Sequence, residues 1–151
     1  TNYANAGSEA GLGNFNVATA LGEGNTVSAI NGDFNRATAF GRNNSAYAGT
    51  GNRNRVMVFG KGNNTLVRYG DGNQTIVIGE GNLTNVGGGV RNRAIVVGEN
   101  NIVNVGDPAN ASGTSDHNSA TVQVESNTVT AGPGSRNSFR ISGKGITAHK
   151  P

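Results

Sequence analysis

The chain has no cysteine and no tryptophan, only three prolines in 151 residues, and an aromatic content of 5%. The missing cysteine excludes disulfide staples and thiolate metal sites. All three prolines lie at or beyond Pro108, so the backbone before it can donate hydrogen bonds throughout. With 34% apolar residues and so few aromatics, a conventional globular core is not expected. No apolar run is long enough for a membrane span. The net charge of +3, with nine arginines among twelve basic residues, gives a mild attraction to anions but does not predict nucleic-acid binding. A start at Thr1 rather than Met fits either a trimmed, secreted chain or an arbitrary boundary of the segment.

What the chain has instead is 25 glycines and 24 asparagines. By composition alone these suggest a disordered, low-complexity segment. Their spacing argues otherwise. Gly13, Gly32, Gly51, Gly70 and Gly89 recur every nineteen residues, and Gly22, Gly41, Gly60, Gly79 and Gly98 do the same, offset by nine. Three residues after each stands an asparagine: Asn16, Asn25, Asn35, Asn44, Asn54, Asn63, Asn73, Asn82, Asn92 and Asn101. A short repeat without drift marks a stacked architecture in which each copy buries its core against its neighbours.

Each repeat divides into a nine-residue and a ten-residue half. The nine-residue half is exemplified by Gly32-Asp-Phe-Asn-Arg-Ala-Thr-Ala-Phe40. Alternation over five residues signals a strand. The fifth and seventh positions after each glycine are mostly Ala or Val, share one face, and predict a thin interior of small side chains. Glycine and asparagine then supply the corners, where positive φ is needed, Gly24-Asn25, Gly62-Asn63 and Gly81-Asn82 fitting best. The predicted fold is all-β: a β-solenoid with two short strands per 19-residue coil, two facing parallel sheets and about seven coils. At the usual interstrand spacing such a rod is about 34 Å long. Residues 1–12 read as a partial N-terminal coil, 13–107 as the regular solenoid, 108–117 as an irregular loop, and 118–151 as continuing irregular coils and a C-terminal tail. The last reading rests on Asn118, Asn127 and Asn137, again nine and ten apart.

The outer faces differ. On the ten-residue half Ser28, Asn85, Asn104, Gly49, Gly87 and Gly106 predict a solvated face. On the nine-residue half the sixth and eighth positions grow steadily more apolar, and Leu21, Phe40, Met57, Phe59, Ile76, Ile78, Ile95 and Val97 are interface candidates. Beside them run Arg36, Arg53, Arg55, Arg91 and Arg93, candidates for an anionic partner or for the rim of an interface. The corner asparagines are expected to hydrogen-bond along the stack as a ladder.

Chemistry is sparse. His117 and His149 are the only histidines, in irregular or terminal sequence, and the carboxylates Asp33 and Asp71, and Glu23, Glu80 and Glu99, read as solvated turns rather than a paired acid and base. Calcium-binding nonapeptide turns need a carboxylate where this chain has Thr26 and Leu83. The outward threonine row of an ice-binding face begins at Thr19 and Thr38 but gives way to Met57, Ile76 and Ile95. Asn73-Gln-Thr75 and Asn82-Leu-Thr84 match the glycosylation acceptor pattern, but both asparagines belong to the corner series. No catalytic residue, cofactor or metal is expected.

At Gly22-Glu-Gly-Asn-Thr-Val-Ser-Ala29 and Gly60-Lys-Gly-Asn-Asn-Thr-Leu-Val67 the chain resembles, in repeat style, the curli-type functional amyloid subunits. That resemblance implies extracellular fibre formation by end-to-end stacking. The functional expectation is a non-enzymatic structural subunit of an extracellular fibre or surface assembly, self-associating head to tail through its solenoid ends. The alternative is a surface adhesin or a solenoid module that binds an acidic polysaccharide.

Overall fold

The computed structural model describes residues 1–7, 13–107 and 115–150. Fifteen strands form two parallel sheets and, among the described residues, no helix. The eight-stranded sheet stacks β1 (Tyr3–Gly7), β3 (Thr26–Ile30), β5 (Ser45–Gly49), β7 (Asn64–Arg68), β9 (Leu83–Gly87), β11 (Ile102–Gly106), β13 (Thr128–Ala131) and β15 (Thr147–Lys150). The seven-stranded sheet stacks β2 (Val17–Glu23), β4 (Arg36–Arg42), β6 (Arg55–Lys61), β8 (Gln74–Glu80), β10 (Arg93–Glu99), β12 (Ser119–Gln123) and β14 (Ser138–Ile141). Strands alternate between sheets along the chain, which makes a β-solenoid of about seven coils. Counted from the long corner, coil 1 is 13–31, coil 2 is 32–50, coil 3 is 51–69 and coil 4 is 70–88. Coil 5 begins at Gly89, coil 6 at Ser115 and coil 7 at Gly134.

Register is exact from coil to coil: Ala37 pairs with Val56, Val56 with Thr75, and Thr75 with Ala94. Every inward position therefore stacks on its counterpart, and the core is a double file of Ala and Val, fully buried from Val27 to Ala131. Small residues suffice because two facing sheets this close leave no space for larger ones. Thr65, Thr75 and Thr84 also stand in these files, and their hydroxyls are buried with no hydrogen-bond partner. At the last coil Phe139 and Ile141 take over the inward positions of Ala120 and Val122.

Three local features differ from the sequence reading. Strands β2, β4, β6, β8 and β10 of the nine-residue halves run seven residues and include the periodic glycine as their sixth, so Gly22, Gly41, Gly60, Gly79 and Gly98 lie inside strands. Their role is close approach: a Cβ on Gly41 would collide with the carbonyl oxygen of Gly60 one coil on. Positive φ at the corners is also not reserved for Gly and Asn, since Phe34, Arg53, Arg91, His117 and Arg136 adopt φ of 57–62°. Finally, Gly49, Gly87 and Gly106 are buried rather than solvated. A Cβ on Gly49 would meet the Ile30 carbonyl oxygen at 2.5 Å and the Tyr47 hydroxyl at 2.9 Å.

The expected irregular loop lies outside the described residues from 108 to 114, as does the expected partial N-terminal coil from 8 to 12. The solenoid resumes in phase beyond the first gap. Asn118 occupies the rung above Asn92 although 26 residues separate them, and β12 pairs with β10.

Three substitutions test the packing. Gly41→Ala is expected to lower stability by about 3 kcal/mol, from the backbone collision and the strained φ together. Gly62, with φ of +64° and open space where a methyl would stand, is the control, where Ala costs about 1 kcal/mol. Urea midpoints decide, and equal losses would contradict the close approach. Thr75→Val should raise stability by about 1 kcal/mol by removing a buried hydroxyl without a partner.

Candidate functional site

Both corners of coils 2 to 6 are built on a buried asparagine. At the long corner the Asn54 backbone N–H donates to Asn35 Oδ1 at 2.9 Å, Asn54 Nδ2 donates to the Gly70 carbonyl at 2.8 Å, and Asn54 Oδ1 accepts from the Asn73 backbone at 3.0 Å. At the short corner Asn63 Oδ1 accepts from both the backbone N–H (3.1 Å) and Nδ2 (3.0 Å) of Asn82, and Asn63 Nδ2 donates to the Gly79 carbonyl at 2.8 Å. The same bonds link Asn16 to Asn35 and Asn25 to Asn44, and carry on through Asn92 and Asn101. From Asn25 to Asn101 these side chains are at most 1% exposed. Each amide thus satisfies the buried backbone of the next coil, where an unpaired group is costly.

The ladder reaches further than the nineteen-residue spacing shows. Asn2 Oδ1 accepts from the Asn25 backbone at 3.0 Å across 23 residues, and Asn127 and Asn137 extend the upper rungs. In coil 7 the short-corner rung is Ile146, whose backbone donates to Asn127 Oδ1 at 2.9 Å. Lys150 in turn holds the register of Ala131. Coil 7 therefore offers a following coil no short-corner amide and a charge in place of an inward alanine.

A second, exposed ladder was not apparent from sequence. Asp33 Oδ1 accepts the Asn14 backbone N–H at 2.7 Å, Asn52 Oδ1 that of Asp33 at 2.7 Å, Asp71 Oδ1 that of Asn52 at 2.6 Å, and Asp116 Oδ1 that of Val90 at 2.9 Å. Asp33 and Asp71 are thus acceptors in the corner rather than merely solvated turns. Only the shared nineteen-residue register of Asn14, Asp33, Asn52 and Asp71 signalled it.

On the outer face of the seven-stranded sheet two files run along the stack. Thr19, Thr38, Met57, Ile76 and Ile95 form one, and Leu21, Phe40, Phe59, Ile78 and Val97 the other. Phe40 and Phe59 stack with centroids 5.0 Å apart. Leu21 is 50% and Ile78 44% exposed, and the other candidates are half-buried. The files end at Thr121 and Gln123 of β12. Along one border stand Arg36, Arg55, Gln74 and Arg93, and along the other Glu23, Arg42, Lys61, Glu80 and Glu99, with Lys61 Nζ 2.8 Å from Glu80 Oε1.

Arg53 and Arg91 sit at the long corner itself, with Gly72 between them, and all five candidate arginines are exposed. His117 stands at the same corner in coil 6, and His149 lies in β15 of the other sheet. The structure does not bring the two histidines into one cluster with the carboxylates, and among the described residues no three His, Asp or Glu groups meet in a metal-binding arrangement. No described helix is long and apolar enough to cross a membrane. No protein-family model, curated protein or solved structure matches this chain. The likeness to curli-type subunits is therefore one of repeat style and of stacked parallel coils.

Asn63→Ala should cost about 2–4 kcal/mol, because it orphans the Asn82 donors and the Gly79 carbonyl inside the stack. Asn52→Ala, removing an exposed acceptor whose partner can turn to water, should cost about 1 kcal/mol or less. Urea unfolding of the two variants measures the difference, and the reverse order would contradict the ladder's role.

Proposed function

We propose that this chain is a non-enzymatic structural subunit of an extracellular fibre or surface assembly, built from copies of itself. One observation supports this reading above the others: the apolar ribbon on the seven-stranded sheet, five coils long and uncovered by any other described part of the chain. Contiguous apolar surface of this kind marks an interface. A second copy suits it because the ribs of the ribbon repeat at the interstrand spacing, about 4.8 Å. Another copy presents ribs of the same period, and like side chains on paired sheets interdigitate into a dry contact.

Stacking through the solenoid ends is the contact implied by the curli-type resemblance. Ile146 and Lys150 weigh against stacking a further coil on coil 7, since it would meet no short-corner amide and an exposed charge at an inward register. Ribbon-on-ribbon packing is therefore placed first.

The test is sedimentation velocity over a concentration series, comparing the chain with the triple variant Phe40→Ser, Phe59→Ser, Ile76→Thr. The native chain should associate, with association undiminished by salt, and at about 0.5 M salt, where surface charges are screened, the variant should be monomeric with unchanged sheet signal in circular dichroism. A native chain monomeric at every concentration that binds acidic polysaccharide through Arg36, Arg55 and Arg93 would overturn the proposal in favour of a carbohydrate-binding module.

A further inference from the structure

The long corner carries opposite charges on alternate coils. Coil-to-coil backbone bonds, from Arg53 to Asp33, Gly72 to Asn52, Arg91 to Asp71, His117 to Val90 and Arg136 to Asp116, place these residues in two adjacent columns. In the first column the carboxylates are Asp33, Asp71 and Asp116, in coils 2, 4 and 6. In the second the guanidiniums are Arg53, Arg91 and Arg136, in coils 3, 5 and 7. Like charges thus recur about 9.6 Å apart, two coil rises. Each aspartate accepts a backbone N–H at Oδ1. Among the described residues the only ion pairs are Lys61–Glu80 and Lys144–Glu125, so none of these arginines is ion-paired with a described residue. A notch of about 460 Å³ opens over Gly72 between Arg53 and Arg91.

A column of alternating sign is complementary to itself when reversed. We infer that two copies associate corner to corner, with antiparallel axes, about a two-fold axis passing between coils 4 and 5. Such an isologous contact sets coil 4 of one copy against coil 5 of the other, 3 against 6, and 2 against 7. Arg91 then enters the notch over the other copy's Gly72 beside its Asp71, Arg53 meets Asp116, and Arg136 meets Asp33, each pair occurring twice. Arg36, Arg55 and Arg93 face Ser138, Ser119 and Gln74, none of them basic.

Neighbouring registers either oppose like charges or form fewer pairs, an axis between coils 5 and 6 leaving only Arg91–Asp116 and Arg136–Asp71. An axis through coil 4 sets Arg53 against Arg91, one through coil 5 sets Arg53 against Arg136, and one between coils 3 and 4 sets Arg36 against Arg93. Opposed like charges at a closed contact cost several kcal/mol. Arg136 is what fixes the choice, as the third cation of the column. An acidic polymer suits this corner less well, because a carboxylate separates each pair of cations.

This contact extends the proposed self-association but does not use the apolar ribbon, so either can fail alone. The experiment therefore starts from the triple ribbon variant and follows sedimentation velocity at low ionic strength, about 20 mM, where surface charges are least screened. The expected result is a dimer that dissociates on raising salt to about 0.5 M. Adding Arg91→Asp alone, or Asp71→Arg alone, should weaken the dimer at least about tenfold, since each homodimer then opposes like charges twice. An equimolar mixture of the two should recover it, because both central pairs in the heterodimer are again opposite. Circular dichroism confirms that each variant keeps its sheets, and Arg53→Asp mixed with Asp116→Arg reads the same relation if Asp71→Arg does not fold. A ribbon variant that is monomeric at low salt, a single variant that still dimerises, or a folded mixture that stays monomeric would overturn the inference.

Discussion

The structure depends on one interaction: a buried asparagine amide that satisfies the backbone of the next coil. A solenoid corner must turn the chain through a region where strand pairing stops, so each corner leaves N–H and C=O groups with no ladder partner. Asn54 and Asn63 supply donor and acceptor together, pointing up the stack, and so replace the missing pairing without water. No other uncharged side chain of that length offers both groups in one plane. Because the bond runs from one coil to the next, it also holds the register. A slip of one residue would break every rung at once.

Fixed register has consequences on both sides of the sheets. Inside, it lines up Ala and Val files thin enough for the sheets to close. Outside, it turns the identity of one residue per repeat into a surface property of the whole rod, since any residue type that recurs becomes a stripe. The apolar ribbon, its charged borders and the alternating corner columns are such stripes. An ordinary domain sets each patch of its surface by separate tertiary contacts, whereas here a nineteen-residue unit is enough to write all of them.

The same principle explains what could be read from the sequence. The architecture, the inward files and the ten corner asparagines were legible because their period survives without interruption from Gly13 to Asn101. Asn2 was not, since its offset from Asn25 is 23 rather than nineteen, and Arg136 was hidden because the offset from Asn92 to Asn118 is 26. Insertions that leave the stack in phase are invisible to a count along the chain. The exposed ladder of Asn14, Asp33, Asn52 and Asp71 was missed for a chemical reason. Asp and Asn differ in charge but accept the same hydrogen bond, so the column looked mixed. The strand glycines were read as turns because glycine's freedom at a bend is the common case, while at Gly41 it is the absence of a side chain that matters.

Everything proposed for the outside of the rod therefore rests on the buried amides holding each coil over the last. Hydrogen exchange of the asparagine side-chain NH₂ groups, resolved by NMR, observes those amides directly. The side chains of Asn44, Asn54, Asn63, Asn73, Asn82 and Asn92 should exchange orders of magnitude more slowly than those of the exposed Asn43, Asn52 and Asn100. Uniformly fast exchange across all of them would contradict a stack locked by its asparagines.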